Sequence, residues 1–201
     1  MMIKTVHRIA QEIIDAIVII GILSLSFVSI VAFVPVFVGL CGYFASPKEE
    51  RSIKMIFKTI VSGGKTLLVF SIIETIALTI AVLNISYFEF ANGTISNMIL
   101  ASSWVVLSLS IWTLLFVSPI IVRMNATTKH LLFNAATVFA ASGFKSMLIV
   151  IFAGLCVYVG LIFPYALGIL IYFLCLVNTS VCNRTIDQLK RKGENHYEES
   201  I

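Results

Sequence analysis

Long apolar stretches separated by short polar connections dominate the chain. A helix of about 20 residues crosses the hydrocarbon core of a bilayer, and five stretches have this length and character. They cover residues 14–39, 66–88, 98–122, 147–163 and 165–182. The fourth and fifth meet at Phe163-Pro164-Tyr165, where proline ends one helix and the chain reverses. The pattern predicts an all-α integral membrane bundle of about five transmembrane helices in one domain, residues 1–192, followed by a polar tail, 193–201.

Two of the polar connections show the periodicity of amphipathic helices. The apolar face in the first connection is formed by Ile53, Ile56, Phe57 and Ile60. The second connection repeats this spacing, with Leu132 and Phe139 among its apolar residues. We expect both segments to lie as short helices in the cytoplasmic interface, where their apolar faces can also dock a partner protein.

Lysine and arginine are concentrated in three parts of the chain. Of the 14, five lie at 46–65, three at 123–145 and four after residue 183. These 12 share one side of the membrane if the amino terminus is outside and the carboxyl terminus cytoplasmic. A hairpin broken at Pro35 would put all 14 inside, but its arms of about 15 residues would reach only about 22 Å. We therefore expect residues 14–39 to cross once.

A short internal repeat supports this arrangement. Ser62-Gly63-Gly64-Lys65 recurs as Ser142-Gly143-Phe144-Lys145, and each copy opens a membrane helix from the basic side. The chain thus resembles two direct copies of helix, basic loop and helix, closed by a fifth helix. Lys65 and Lys145 are expected to extend toward anionic lipid headgroups.

Composition agrees with a membrane protein. Hydrophobic residues make up 59% of the 201 positions and charged residues 12%, with a mean hydropathy of +1.04. A soluble domain of this size has too little interior for so much apolar surface. The net charge of +4 is divided among connections between apolar blocks, which argues against nucleic acid as a partner. The four cysteines lack the spacing of a zinc site and are expected to be small buried residues.

Glu74 is an ionisable residue deep inside a predicted span. It lies nine residues after Lys65, or about 13 Å into the core. A carboxylate at that depth costs about 2.5 kcal/mol or more unless it is protonated or paired. Two interpretations stay open: a proton-coupled or ligand-contacting group, or a structural glutamic acid bonded to polar groups such as Asn178 or Ser180.

Residues typical of catalysis are dispersed. His7, His130 and His196 lie in three separate polar segments, and the two aspartates, Asp15 and Asp187, lie outside the centres of the spans. This distribution offers neither a paired acid and base nor a metal-ligand spacing. We expect a non-enzymatic protein without a cofactor.

The layout resembles the YesL family of small bacterial membrane proteins. The features that carry the resemblance are Phe33-Val34-Pro35, Lys48-Glu49-Glu50-Arg51, Phe57-Lys58, Pro119 with Arg123, and residues 134–145. The resemblance covers nearly the whole chain, and its motifs are diffuse. It implies a multi-pass protein of the bacterial plasma membrane that accompanies carbohydrate ABC importers and their regulators.

Two functions follow as expectations. The first is an accessory membrane subunit that binds a carbohydrate ABC importer or takes part in its regulation. The second is a small transporter that works as a homo-oligomer, with Glu74 near the midplane of the pathway. The small number of spans favours the first, because five helices enclose little room for a sugar-sized pathway.

Overall fold

The computed structural model describes residues 2–28, 30–90, 93–124, 130–163 and 166–198, without the side chains of 2–8, 24–30, 124, 161 and 192–198. These residues are helical apart from short turns, and they contain no strand. The helices are α1 Met2–Val28, α2 Ile30–Ala45, α3 Ile53–Phe88, α4 Thr94–Met124, α5 Leu131–Ser142, α6 Phe144–Ile162 and α7 Leu167–Glu198.

Three of the described helices are long and apolar enough to cross a membrane. They are α3, α4 over Thr94–Arg123 and α7 over Leu167–Arg191. The pair α5 and α6 meets the same test as one broken segment, bent by 106°, which raises the number to four. The protein is therefore an all-helical membrane protein with three to four candidate spans, and five crossings are not confirmed.

The first predicted span is divided, which corrects the expectation of one helix over residues 14–39. Helix α1 ends at Val28 and α2 begins at Ile30, while Pro35 lies inside α2. Proline in a helix removes one hydrogen bond, which α2 tolerates. The sequence pattern predicted a single unbroken helix here, and the one alternative considered was a break at Pro35.

The beginning of α1 and the end of α2 lie together. Glu12 and Asp15 are close enough to the Tyr43 hydroxyl for their charges to act on it, as is Arg51. Asp15 lies 13 residues before the end of α1 and Tyr43 lies 13 residues after the beginning of α2, so α2 folds back along α1. A single helix over 14–39 would have separated Asp15 from Tyr43 by about the thickness of the membrane.

The antiparallel arrangement of α2 and α7 is defined by two side-chain contacts. The Cys41 and Cys175 sulfur atoms are 3.6 Å apart, and the rings of Phe44 and Tyr172 are centred 5.2 Å apart. The contacts move forward along α2 and backward along α7, so the two helices run in opposite directions. Side chains from both helices are fully buried here and form the core with α4.

Helices α4 and α7 are parallel. Asn178 contacts Leu115, and further along both helices Arg123 forms an ion pair with Asp187 at 2.8 Å. Helix α6 is antiparallel to α7, because Ser142, just before α6, contacts Thr185, while Cys156 contacts Leu170. This confirms the predicted hairpin of the last two helices.

Two glycines bend the chain in the same way. Gly64 interrupts α3 with φ 49° and ψ −136°, and Gly143 separates α5 from α6 with φ 55° and ψ −128°. Residues 53–63 of α3 and helix α5 are thus matching short helices, each followed by a longer apolar helix. The sequence repeat aligns Gly143 with Gly63, whereas the backbone matches it to Gly64. The two copies correspond in structure with a shift of one residue.

Helix α7 extends beyond the expected end of the domain. The tail was predicted to begin at residue 193, but the helix continues to Glu198. Residues 199–201 of the predicted tail, Pro164 and Tyr165 at the predicted turn, and Lys129 lie outside the described residues.

Candidate functional site

Glu74 belongs to α3, and its side chain lies between α3 and α4 and is 5% exposed. Its Oε1 atom accepts a hydrogen bond from the Thr113 hydroxyl on α4. The Ser110 hydroxyl, one turn earlier on α4, lies beside the same carboxyl group. The Thr113 hydroxyl is also 3.0 Å from the Ser110 carbonyl oxygen. The carboxyl group is therefore held against α4 by hydroxyl groups.

Three buried side-chain oxygen atoms, at Glu74 and at nearby positions of α3, have no hydrogen-bond partner among the described residues. They are Glu74 Oε2, Ser71 Oγ and Thr75 Oγ1. Positions 71, 74 and 75 share one face of α3, because residues three and four apart are neighbours on a helix. Buried polar groups normally have partners, and leaving one unpaired costs about 1–3 kcal/mol. These oxygen atoms can therefore accept hydrogen bonds from a donor or coordinate a cation.

Asn178 and Ser180, the expected partners of Glu74, have other surroundings. Asn178 is fully buried and donates from Nδ2 to the Leu115 carbonyl oxygen at 2.7 Å, while Ser180 is exposed. Asn178 bonds to α4 at a backbone carbonyl group that has no helical donor. Pro119, four residues after Leu115, has no N–H group, so that carbonyl lacks its usual helical donor. Asn178 supplies the missing hydrogen bond.

Three of the six predicted docking residues, Ile56, Ile60 and Phe139, pack against the protein core. Ile56 is 1% exposed and, with Ile60, lies against α2 near Gly39, where an added Cβ would come within 2.6 Å of Ile56. Phe139 packs against Trp112 and Phe116 of α4, with ring centres 5.9 and 5.1 Å away.

Other predicted docking and headgroup residues face outward. Phe57 and Leu132 are 58% and 59% exposed, and Ile53 is half-buried. Lys65 and Lys145 are exposed one and two residues after the bends at Gly64 and Gly143. This placement is compatible with contact between both lysines and lipid headgroups.

A half-open cavity of about 320 Å³ lies where α2, the first part of α3 and the end of α4 meet. Charged and hydroxyl side chains line it, among them Ser46, Glu50, Lys58, Ser62 and Arg123. Asp187 holds the Arg123 guanidinium at 2.8 Å, which fixes one positive group near the cavity. The volume lies in the range of small-ligand pockets, which start at about 300 Å³.

All four cysteines are free and buried, as the sequence predicted. Cys41, Cys175 and Cys182 lie where α2 packs on α7, and the Cys182 thiol is 3.6 Å from the Asn178 side-chain oxygen. No group of three or more histidine, cysteine or acidic side chains with metal-binding geometry occurs in the described part of the chain.

Sequence reasoning identified Glu74 but missed the hydroxyl residues around it. Ser71 lies three residues before Glu74 and Thr75 one residue after it, so both could have been identified from their positions on the same helix. Ser110 and Thr113 are three residues apart on the following helix. Serine and threonine are frequent in this chain, so this spacing alone does not identify them. Their relevance depends on how α3 and α4 are rotated toward each other.

Comparison of the chain with protein-family models, with curated proteins and with solved structures gives no match. Membership of the YesL family therefore remains a proposal.

Proposed function

We propose that this protein is a non-enzymatic accessory subunit of a carbohydrate ABC importer, or of its regulation, in a bacterial plasma membrane. The proposal combines the resemblance to the YesL family with the cavity between α2, α3 and α4. The cavity is the observation that carries it. Its half-open, charged lining suits a polar segment of a partner protein.

Charge is the main recognition feature of the cavity. Lys58 contributes a positive group and Glu50 a negative group at the same opening, while the Arg123 charge is paired with Asp187. Complementary charges select a partner and orient it, even where they add little affinity. The exposed side chain of Phe57, next to Lys58, supplies an apolar contact at the membrane interface.

Co-purification in mild detergent tests this function. Importer subunits should accompany the tagged protein, and Lys58→Glu should remove them by reversing the charge at the cavity. Lys54→Glu is the matched control, because Lys54 lies on the same short helix and does not line the cavity. Equal recovery of importer subunits with both variants, or unchanged sugar uptake in a deletion strain, contradicts the proposal.

A second candidate is a small oligomeric transporter that uses Glu74. The buried, unpaired Oε2 atom favours it, since intramembrane carboxyl groups commonly mark ion and substrate pathways. Flux of labelled mono- and disaccharides into proteoliposomes should then be lost in Glu74→Gln and retained in Glu89→Gln, an exposed position at the end of α3. Equal flux in both variants rejects a coupling role for Glu74.

A further inference from the structure

The cluster around Glu74 contains three buried oxygen atoms that have no hydrogen-bond partner among the described residues. Ser71 Oγ and Thr75 Oγ1 lie on the same helical face as Oε2, and each hydroxyl oxygen has lone pairs that can coordinate a cation. A cation contacts several oxygen atoms at once. The carboxyl group of Glu74 on α3 and the hydroxyl groups of Ser110 and Thr113 on α4 meet between the two helices.

The donor set restricts which cation fits. All the groups are carboxylate or hydroxyl oxygens, which bind hard cations rather than soft transition metals. The cluster has one carboxylate, so a monovalent ion gives a neutral buried site, whereas a divalent ion leaves a positive charge inside the membrane. Na⁺ is the smaller of the two common monovalent cations, and K⁺ is the comparison ion in the tests below.

We propose that Glu74, Ser71, Thr75, Ser110 and Thr113 form a binding site for Na⁺ between α3 and α4. The site is separate from the cavity lined by Lys58 and Arg123. Loss of importer co-purification would therefore leave it intact. The ion stabilises the packing of α3 on α4, whether or not any solute moves with it.

Protection from a hydrophobic carbodiimide tests the site directly. A protonated carboxyl group adds across the carbodiimide and rearranges to an N-acylurea, so Glu74 gains the mass of one reagent molecule and nothing is released. Bound Na⁺ replaces the required proton. We expect Na⁺ to reduce labelling of the Glu74 peptide, measured by mass spectrometry in mild detergent, while K⁺ at equal ionic strength does not. Equal labelling in the two salts overturns the proposal.

Variants separate the cation ligands from general effects. The Ser71→Ala, Thr75→Val double variant keeps the reactive carboxyl group and should raise the half-protecting Na⁺ concentration by about tenfold or more. Ser108→Ala is the matched control, because Ser108 is exposed on α4 and bonds only to its own helix at the Trp104 carbonyl. Unchanged protection in the double variant contradicts the assigned ligands.

Thermal unfolding gives a second readout that needs no chemical labelling. Na⁺ should raise the unfolding temperature of the wild-type protein, since a ligand that binds the folded state stabilises it. The same salt should have no such effect, relative to K⁺, on Glu74→Gln. An equal Na⁺-specific shift in Glu74→Gln places the ion elsewhere and overturns the site.

Discussion

Pro119 and Asn178 illustrate how one residue compensates for another in a distant helix. Proline inside α4 leaves the Leu115 carbonyl oxygen without a backbone donor, and Asn178 Nδ2 fills this vacancy from α7 at 2.7 Å. In a bilayer the alternative to such a bond is an unsatisfied carbonyl with no water nearby. The hydrogen bond from Asn178 therefore joins α7 to α4 at the carbonyl group that Pro119 leaves without a donor.

A double-mutant cycle tests this compensation. Asn178→Ala should lower the free energy of unfolding by about 1–3 kcal/mol, because it leaves a buried carbonyl unpaired. In a Pro119→Ala background the residue at 119 has an N–H group that can bond to the same oxygen, so Asn178→Ala should then have a smaller effect. Unfolding in detergent provides the measurement. Additive losses, with no coupling between the two positions, would show that Asn178 does not compensate for Pro119.

The sequence predicts single residues better than it predicts their partners. The depth of Glu74 in its span is predicted by counting along one apolar stretch, and the side chain is buried between helices, as a carboxyl group inside a span requires. Its bond to Thr113 depends on the rotation of two helices about their axes, which periodicity does not determine. Asn178 was visible as a polar residue in a span, but its partner is a backbone atom exposed by a proline 59 positions earlier.

At the scale of elements, the bends at Gly64 and Gly143 determine where the short helices end. Both residues combine a positive φ angle with a ψ angle near −130°. Residues with a Cβ rarely adopt this backbone conformation. An added Cβ at either position would meet no atom within 4 Å. The requirement for glycine is therefore a property of the backbone and not of neighbouring side chains.

Alanine substitutions separate this backbone requirement from packing. Gly64→Ala and Gly143→Ala should each destabilise the protein by about 1–2 kcal/mol, since a positive φ angle brings Cβ close to the backbone. Gly154→Ala is the control: it lies within α6, also meets open space, and should be neutral or slightly stabilising. Thermal unfolding of the three variants is the measurement. A similar response of all three would mean that the bends do not require glycine.

The sequence repeat located both bends to within one residue. Ser-Gly is common to the two copies, and the pattern alone aligns Gly63 with Gly143. Gly64 provides a second glycine in the first copy, and the chain bends there. Similarity of side chains cannot distinguish two adjacent glycines, because the choice depends on how the short helix packs against α2.

The packing of α2 against α7 can be tested through native thiols. Cys41 and Cys175 are fully buried with sulfur atoms 3.6 Å apart, so a membrane-permeable oxidant should link them within one chain. In a Cys182→Ala background, mass spectrometry of the digested protein should find the Cys41 and Cys175 peptides joined. Cys156, at the contact between α6 and α7, serves as the internal control and should remain free. A link from Cys41 to Cys156 would contradict the helix arrangement.

At the scale of the whole molecule, the ends of several elements gather in one region. Gly63 and Arg123 line the same cavity, Arg123 binds Asp187, and Ser142 contacts Thr185. The prediction that the connections near residues 63, 123 and 142 share one side with α7 beyond Thr185 agrees with these contacts.

The first two helices are the part that sequence reasoning could not determine. Hydropathy is continuous from residue 13 to residue 45, so it contains no marker for a turn within the apolar stretch. Arg51 bonds to the Phe44 and Ser46 carbonyls and lies near the rings of Tyr43 and Phe44. These contacts hold the connection after α2 close to the helix end. They also place Arg51 near the acidic residues at the beginning of α1.

Labelling from one side of sealed vesicles tests the fold of this hairpin. With the native cysteines replaced by alanine, Gln11→Cys and Lys48→Cys should react with a membrane-impermeant maleimide from the same side. The reason is that Glu12 and Asp15 lie near Arg51 and Tyr43 at one end of the α1 and α2 pair. A single crossing by residues 14–39 would instead separate positions 11 and 48 by about 30 Å of hydrocarbon. Reaction from opposite sides would therefore restore the single crossing and contradict the fold of α1 on α2.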